Sequence, residues 1–188
     1  MTPNQISVAS IAFSVLSGVS FWRANGNGGD GTVTWLVLGA IGIQLRLLCN
    51  MLDGLLAIEC GLKSLTGDLY NEIPDRVADV VILIGAGYAI QTVPWGIAFG
   101  WAAALLAVLT AYIRLLGGSL GVKQDFTGPM AKQHRMFTLT VGALATAAEF
   151  SVRGSSWSMS VALALIIVGS AATLVRRTSR IARALEAR

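Results

Sequence analysis

Between Cys49 and Asp79 the chain reads CNMLDGLLAIECGLKSLTGDLYNEIPDRVAD, which holds six of its ten acidic residues: Asp53, Glu59, Asp68, Glu72, Asp75 and Asp79. On both sides the chain is apolar enough to form membrane helix. Acidic groups are expensive beside lipid and mark a site when they gather at helix ends in a bundle. Surface acidity accounts for some of them, but not for their spacing. With the segment up to about Ala57 helical, Arg46, Asn50, Asp53 and Ala57 fall at i, i+4, i+7 and i+11 and share one face. Gly61 is a stop for that helix, 63–70 reads as a loop, and Pro74 suits the first turn of the next helix. Asp75 and Asp79 then stand at i and i+4. Two helices joined by a short loop thus aim carboxyl oxygens at one point from opposite sides. Hard cations such as Mg2+ or Mn2+ need such an oxygen cluster, and they bridge and neutralise a pyrophosphate.

This pattern resembles the CDP-alcohol phosphotransferase family. Its signature runs Asp, two residues, Asp-Gly, two residues, Ala-Arg, eight residues, Gly, three residues, Asp, three residues, Asp. Asp53-Gly54 and Ala57 match, and eight residues separate Ile58 from Gly67 as required. Asp75-Arg-Val-Ala-Asp79 is similar to the closing pair. Three departures stand out. Asn50 occupies the first Asp position, which removes one anionic ligand and keeps a carbonyl oxygen. Ile58 replaces the Arg, so a guanidinium contact has to come from elsewhere, with Arg46 as the candidate. Seven residues rather than three separate Gly67 from Asp75. A rival register keeps the family spacing and makes Asn71 and Asp75 the last pair; Asp75 and Asp79 are preferred for their local sequence and because both are acids.

The elements that must position these residues are membrane helices. In 188 residues, 54% are hydrophobic and 13% charged, which describes a single-domain polytopic membrane protein over residues 1–188. Apolar runs cover 8–19, 33–48, 77–92, 97–116, 137–150 and 159–175. They predict an all-α fold of six transmembrane helices, with a short interfacial lead-in at Thr2 to Ser7. That lead-in has no basic n-region and no cleavage site follows it, so the first span is expected to be retained. Cys49 and Cys60 flank the acidic stretch and read as small packing residues.

Basic residues set the orientation. Outer loops at 23–32, 93–96 and 151–157 carry only Arg23 and Arg153, and the other twelve Lys and Arg lie at the opposite end. All five tryptophans fall near the outer interface. The acidic stretch and both termini are therefore expected in the cytoplasm, with the protein in a bacterial inner membrane. The +4 net charge follows this membrane asymmetry and predicts no nucleic-acid partner. The loop 117–135 is a second polar concentration, where Lys132 and Arg135 are candidates to grip a phosphate or to touch anionic headgroups. His134 reads as a surface residue. Arg114 either snorkels to the interface or pairs with an acid of the site, snorkelling being preferred. Residues 176–188 read as a basic amphipathic stretch lying on the inner surface. Gly96 and Gly100 permit close helix contact and a possible homodimer.

What the resemblance implies is transfer of a phosphatidyl group from a CDP-linked lipid to an alcohol acceptor, with release of CMP. One or two ions of Mg2+ or Mn2+ would sit on Asn50, Asp53, Asp75 and Asp79, with Asp79 taking the proton of the attacking hydroxyl. Arg46, Gly54, Ala57, Gly67, Lys132 and Arg135 would contact substrate, the small Gly54 and Ala57 admitting the cytidine part to the helix backbone. Three other readings stay open. One is a soluble CDP-alcohol donor with a diacylglycerol acceptor; another is a non-catalytic protein of the same fold that binds nucleotide or lipid. The third is a small transporter, whose charges would belong at the bilayer midplane rather than at one face.

Overall fold

Long runs of apolar and small residues carry the chain through helix after helix. The computed structural model describes residues 3–26, 29–59 and 67–187. Six helices follow in order: α1 Pro3–Ala24, α2 Gly29–Glu59, α3 Gly67–Tyr88, α4 Gly96–Ser119, α5 Lys132–Arg153 and α6 Trp157–Glu186. No strand occurs among the described residues. Four stretches, within α1, α2, α4 and α6, are long and apolar enough to cross a bilayer, as befits an integral membrane protein. α3 and α5 have 22 residues each, about 33 Å at helical rise, but they carry the charges that the other four lack over most of their length.

The helices close into a ring. α1 packs on α2 and α3, α3 on α4, α4 on α6, α6 on α5, and α5 on α2. Small residues set the close approaches. A Cβ on Gly85 of α3 would stand 2.4 Å from the carbonyl oxygen of Gly18 in α1. On the other side of α3, a Cβ on Gly100 would stand 2.9 Å from Cα of Gly87, and one on Gly96 2.7 Å from Cβ of Ile90. Gly96 and Gly100 are thus buried inside the chain against α3 and present no free face for a dimer. Along α1, Ser7, Ser10, Ser14, Ser17 and Ser20 are buried. Ser10 and Ser14 donate to carbonyls one turn back, and Ser17 donates to the carbonyl of Gly39 at 2.8 Å. The hydroxyls of Ser10, Ser14 and Ser17 therefore cost little in an apolar interior.

Several local expectations need correction. The lead-in is no separate element: α1 begins at Pro3, and Ser7 is already buried. α3 begins at Gly67, so Pro74 lies inside the helix rather than in its first turn. Proline costs a helix one backbone donor, and here α3 continues through it. Cys60 and the residues 61–66 lie outside the described residues. The basic end of the chain is not a surface stretch but the continuation of α6. It is held there because Arg177 donates to the carbonyls of Thr110 and Thr127, at 2.8 and 3.2 Å.

The same helix seats the loop between α4 and α5. Thr173 Oγ1 accepts from the Met130 amide at 3.0 Å, and Arg180 donates to Asp125 at 2.5 Å and to Thr127 Oγ1 at 2.9 Å. Burial alone would raise the Asp125 carboxyl, but the hydrogen bonds from Thr127 and Arg180 outweigh it and hold the group down to about 2. A depressed carboxyl supports the fold above its ordinary range and loses that support only as pH falls through its folded value. At neutral pH this tether is fully charged.

The α1–α3 contact predicts a clear effect of adding one methyl group. Gly85→Ala forces Cβ onto backbone that has no rotamer to yield, and overpacking of this kind costs about 1–3 kcal/mol. A melting temperature in detergent equal to that of the wild type would show that the two helices are not in contact at Gly18 and Gly85.

Candidate active site

At one end of the ring, where α2, α4 and α6 finish and α3 and α5 begin, a cavity of about 900 Å3 opens between the helices. Asn50, Asn71, Asp75, Arg114, Lys132 and Arg177 are among its lining residues. Because α3 starts earlier than its proline suggests, Asn71, Asp75 and Asp79 stand at i, i+4 and i+8 of one helix and share a face. They descend from solvent to core. Asn71 is exposed, Asp75 is 6% exposed and Asp79 is 0% exposed.

Asp79 belongs to the interior. Arg46 Nη2 donates to its Oδ1 at 2.8 Å, and Arg135 Nη2 donates to its Oδ2 at 2.9 Å. Arg46 is itself fully buried and also reaches Asp75 Oδ1 at 3.2 Å and the Asp75 carbonyl at 3.3 Å. Arg135 is completed by Thr110 Oγ1 at 3.3 Å and the Met130 carbonyl at 3.2 Å. The geometry differs from expectation at three residues. Asp79 has both oxygens engaged by arginines and is not among the residues lining the cavity. Arg46 is fully buried and does not line the cavity either. Arg135 borders the cavity, but its guanidinium is turned inward on Asp79 and not outward to a phosphate.

Asp75 is the carboxylate at the cavity wall. Its Oδ1 accepts from Arg46 and, at 2.9 Å, from Asn50 Nδ2. Lys132 Nζ docks on its Oδ2, and Arg76 stands 3.9 Å from the same oxygen. Asn50, Asp75 and Lys132 are therefore brought together as the spacing suggested. Asp53 lies three residues after Asn50 on α2 and is held from α1 by Ser7 Oγ at 2.5 Å. A Cβ on Gly54 would meet nothing within 4 Å, so the helix surface beside Asp53 is open to a flat ligand. Gly67 is the first residue of α3. The side chain of Ala57 lies outside the described residues.

The donor chemistry fits a hard divalent cation. Asn50 spends its amide nitrogen on Asp75, which leaves its carbonyl oxygen to serve as a ligand; Asn71 lines the same cavity, and Asp53 stands one turn from Asn50 on α2. Oxygen ligands of this kind suit Mg2+ or Mn2+. No group of three His, Cys, Asp or Glu converges among the described residues, so the amides have to complete any such site.

The sequence reading gave Glu72 and Arg177 no place in the cavity, and for Arg114 it preferred the alternative that the structure does not show. Arg114 does not snorkel: it pairs with Glu72 and lies 4.6 Å over the Phe126 ring. Glu72 also takes Arg76 at 3.3 Å, one turn along α3. Arg177 comes from the supposed surface tail. The signal for Arg114 was present, since a charge inside an apolar run faces the bundle more often than lipid. Nothing in the sequence pointed to Arg177. Against the cavity, and sharing Leu47 and Met51 with it, runs an apolar groove of about 560 Å3 between α2 and α5, lined further by Ile41, Leu45, Leu48 and Leu144.

Comparison with known proteins agrees with this geometry. The family model for CDP-alcohol phosphatidyltransferase matches residues 1–175. Inner membrane protein YnbA of Escherichia coli is 24% identical over 147 residues, 78% of this chain and 69% of YnbA. Phosphatidylinositol phosphate synthase of Mycobacteroides abscessus is 24% identical over 186 residues, 94% of this chain and 75% of that protein. The crystal structure of Mycobacterium tuberculosis phosphatidylinositol phosphate synthase in complex with manganese and citrate superposes with a TM-score of 0.77 at 20% identity, covering 96% of this chain and 82% of that one. The same enzyme with CDP-DAG bound gives a TM-score of 0.75, covering 96% and 86%. The chain belongs to the CDP-alcohol phosphatidyltransferase family: it is a transferase dependent on Mg2+ or Mn2+ that moves a phosphatidyl group from a CDP-linked lipid to an alcohol and releases CMP.

Proposed function

We propose that the reaction runs in the cavity at the Asn50 and Asp75 end, with Asp75 as the base and Asp79 as the buried group beneath it. The observation that carries this reading is the descent along one face of α3: Asn71 is exposed, Asp75 lines the cavity, and Asp79 has both oxygens on arginines. Asp53, with the amide oxygens of Asn50 and Asn71, would hold the cation. When bound, it supplies Lewis-acid neutralisation of the donor pyrophosphate. Asp75 Oδ2 takes the proton of the acceptor hydroxyl as its oxygen attacks the phosphorus carrying the diacylglycerol group. The bond from that phosphorus to the bridging oxygen of CMP breaks, and CMP leaves with the electron pair. Arg46 and Asn50 fix the Asp75 carboxylate from its other oxygen, so its orientation does not depend on substrate. The open surface at Gly54 receives the cytidine, and the apolar groove on α2 and α5 receives an acyl chain continuous with the cavity.

The acceptor is an alcohol that carries its own phosphate. Arg76, Arg114 and Arg177 surround the far side of the cavity, and only Glu72 and Asp75 oppose them and Lys132 there. An anionic acceptor balances this excess, and Arg forks suit phosphate. Two of the relatives reported above are phosphatidylinositol phosphate synthases by name, which agrees with such a class of acceptor. We read residues 1–188 as one domain in which α3 and α5 also cross the bilayer, shielded by their neighbours in the ring. The cavity end and both termini face the cytoplasm, because twelve of the fourteen Lys and Arg lie on that side. Exposed Trp22, Trp95, Trp101 and Trp157 mark the opposite interface. A homodimer, if one forms, uses a face other than Gly96 and Gly100.

Three outcomes test this reading. Asp75→Asn should lower CMP release from CDP-diacylglycerol by about 10²–10⁴-fold, the usual contribution of a general base, with little change in melting temperature. Asp79→Asn, by contrast, leaves buried Arg135 without its carboxylate and Arg46 with Asp75 alone, and should cost about 3–5 kcal/mol of stability. An Asp79→Asn protein that melts like the wild type but has lost turnover would return the base to Asp79. Gly54→Ala should leave melting unchanged, since its methyl meets nothing, and raise KM for the CDP-lipid; an unchanged KM would remove the cytidine from that surface. Finally, CMP release should be faster with phosphorylated polyols than with the same polyols lacking phosphate, and the reverse preference would overturn the assignment of the acceptor.

A further inference from the structure

We propose that Lys132 takes the place of a second metal ion, so that the chain works with one divalent cation per protomer and a fixed ammonium. The inference rests on the active site proposed above. An ionised carboxylate has about four lone-pair positions. In Asp75 three of them are engaged, by Arg46, by Asn50 and by Lys132. One position remains, which is enough to accept a proton but not to bridge two metal ions. Asp79, the next acid on that face, is fully engaged by Arg46 and Arg135. Asn50 is neutral where the family signature has an acid, and so is Asn71 in the register that ends on Asp75. Asp53 is then the one anionic ligand left to a cation among the described residues of the site.

A single carboxylate with amide oxygens and substrate phosphates suffices for one Mg2+ or Mn2+. A second ion would have to settle beside Asp75, in the position that Lys132 Nζ holds. The ammonium is suited to that position. It lines the cavity beside Asp75 with its side chain 26% exposed, so it can turn from the carboxylate to a phosphate oxygen as the donor enters. Lys132 is also the first residue of α5, and its backbone is anchored through Arg135 and Met130 to the buried ties. Around the one carboxylate of Asp75 the chain thus sets one amide, one lysine and one buried arginine.

The test is the manganese stoichiometry of the purified full chain in detergent, with CDP-diacylglycerol present. Equilibrium dialysis should give one Mn2+ per protomer, with the six-line electron paramagnetic resonance spectrum of an isolated ion. Two Mn2+ per protomer with a spin-coupled spectrum would overturn the proposal. The triple variant Asn50→Asp, Asn71→Asp, Lys132→Ala should bind a second ion and show the coupled spectrum; if it still binds one while folded, the lysine was not holding a metal position. Lys132→Met should lower CMP release by about 10²-fold or more, as loss of one preorganised charge does, with one ion still bound and its affinity unchanged. Lys132→Arg should recover part of that rate, which a purely structural role of the side chain would not produce. Failure of the site reading gives a different result: no CMP release from the wild type with any acceptor, whatever its manganese count.

Discussion

The structure depends on one buried carboxylate. Asp79 lies fully buried inside the ring and is held by Arg46 of α2 on one oxygen and Arg135 of α5 on the other. The three helices so joined are not the ones whose backbones pack most closely. α3 packs on α1 and α4, whereas α2 and α5 pack on each other. The Asp79 ion pairs therefore run across the ring where close backbone contact does not. A buried pair seldom adds net stability over an apolar substitute, because desolvation of each ion offsets the attraction. Its value is specificity: with two arginines committed to one acid, sliding α3 by a turn against either partner would strand three charges. Two nitrogens of Arg46, Nε and Nη1, have no partner among the described residues, which makes such a slip more costly still.

Fixing α3 in this way fixes the chemistry. The same Arg46 nitrogen that holds Asp79 reaches Asp75 one turn above, so the wall of the cavity is referenced directly to the core. Around this tie the other helices contribute in turn. Ser7 of α1 holds Asp53, Thr110 of α4 supports Arg135, and Arg177 of α6 ties α4 to the loop that leads into α5. Each of the six helices thus supplies a group to one end of the ring. The opposite end is tied by hydrogen bonds rather than by ion pairs: Ser156 Oγ accepts from the Gln91 and Thr92 amides, and Glu149 accepts from the Trp157 and Ser158 amides. There the close contacts are glycine and alanine against backbone, as at Gly87 and Gly100, which is the usual means by which membrane helices associate without a hydrophobic drive between them.

How much of this was legible in the sequence depended on whether the signal was local. Helical spacing brought Asn50, Asp53 and Asp75 to one site, and charge asymmetry marked Lys132 at the mouth of α5. The helix count was legible from the apolar runs, although only four of them are apolar enough to cross on composition alone. The direction in which a charged side chain points was not legible. Arg46, Arg114, Arg135 and Arg177 all read as surface or substrate groups, because a sequence shows a charge and not the acid or carbonyl waiting for it on another helix. Pro74 misled for a related reason. A proline is a good marker of a first turn, but a helix can continue through it where its neighbours hold it. Gly96 and Gly100 read as a contact surface, correctly, but the surface they meet is α3 of the same chain.

The amide of Asn50 at a signature position, and that of Asn71 in the register ending on Asp75, now have a physical setting. Near lipid, four carboxylates that converge without their cation repel one another and must be protonated or hydrated, either of which is expensive at a membrane face. In this chain the acids are interleaved with cations and polar groups: Asp53 with Ser7, Asp75 with Lys132, Arg46 and Asn50, Asp79 with Arg46 and Arg135. Each of these acids thus has a partner before any ligand arrives. This pairing has a consequence for catalysis. Fixed cations cannot leave with the product, and they hold their positions through every turnover, which is the preorganised electrostatics that lowers barriers most effectively in sites closed to water. Internal ion pairs of this kind make the site depend on the packing of the helices that carry them. That is why the tie at Asp79, remote from substrate, is as necessary to this site as the carboxylate that meets it.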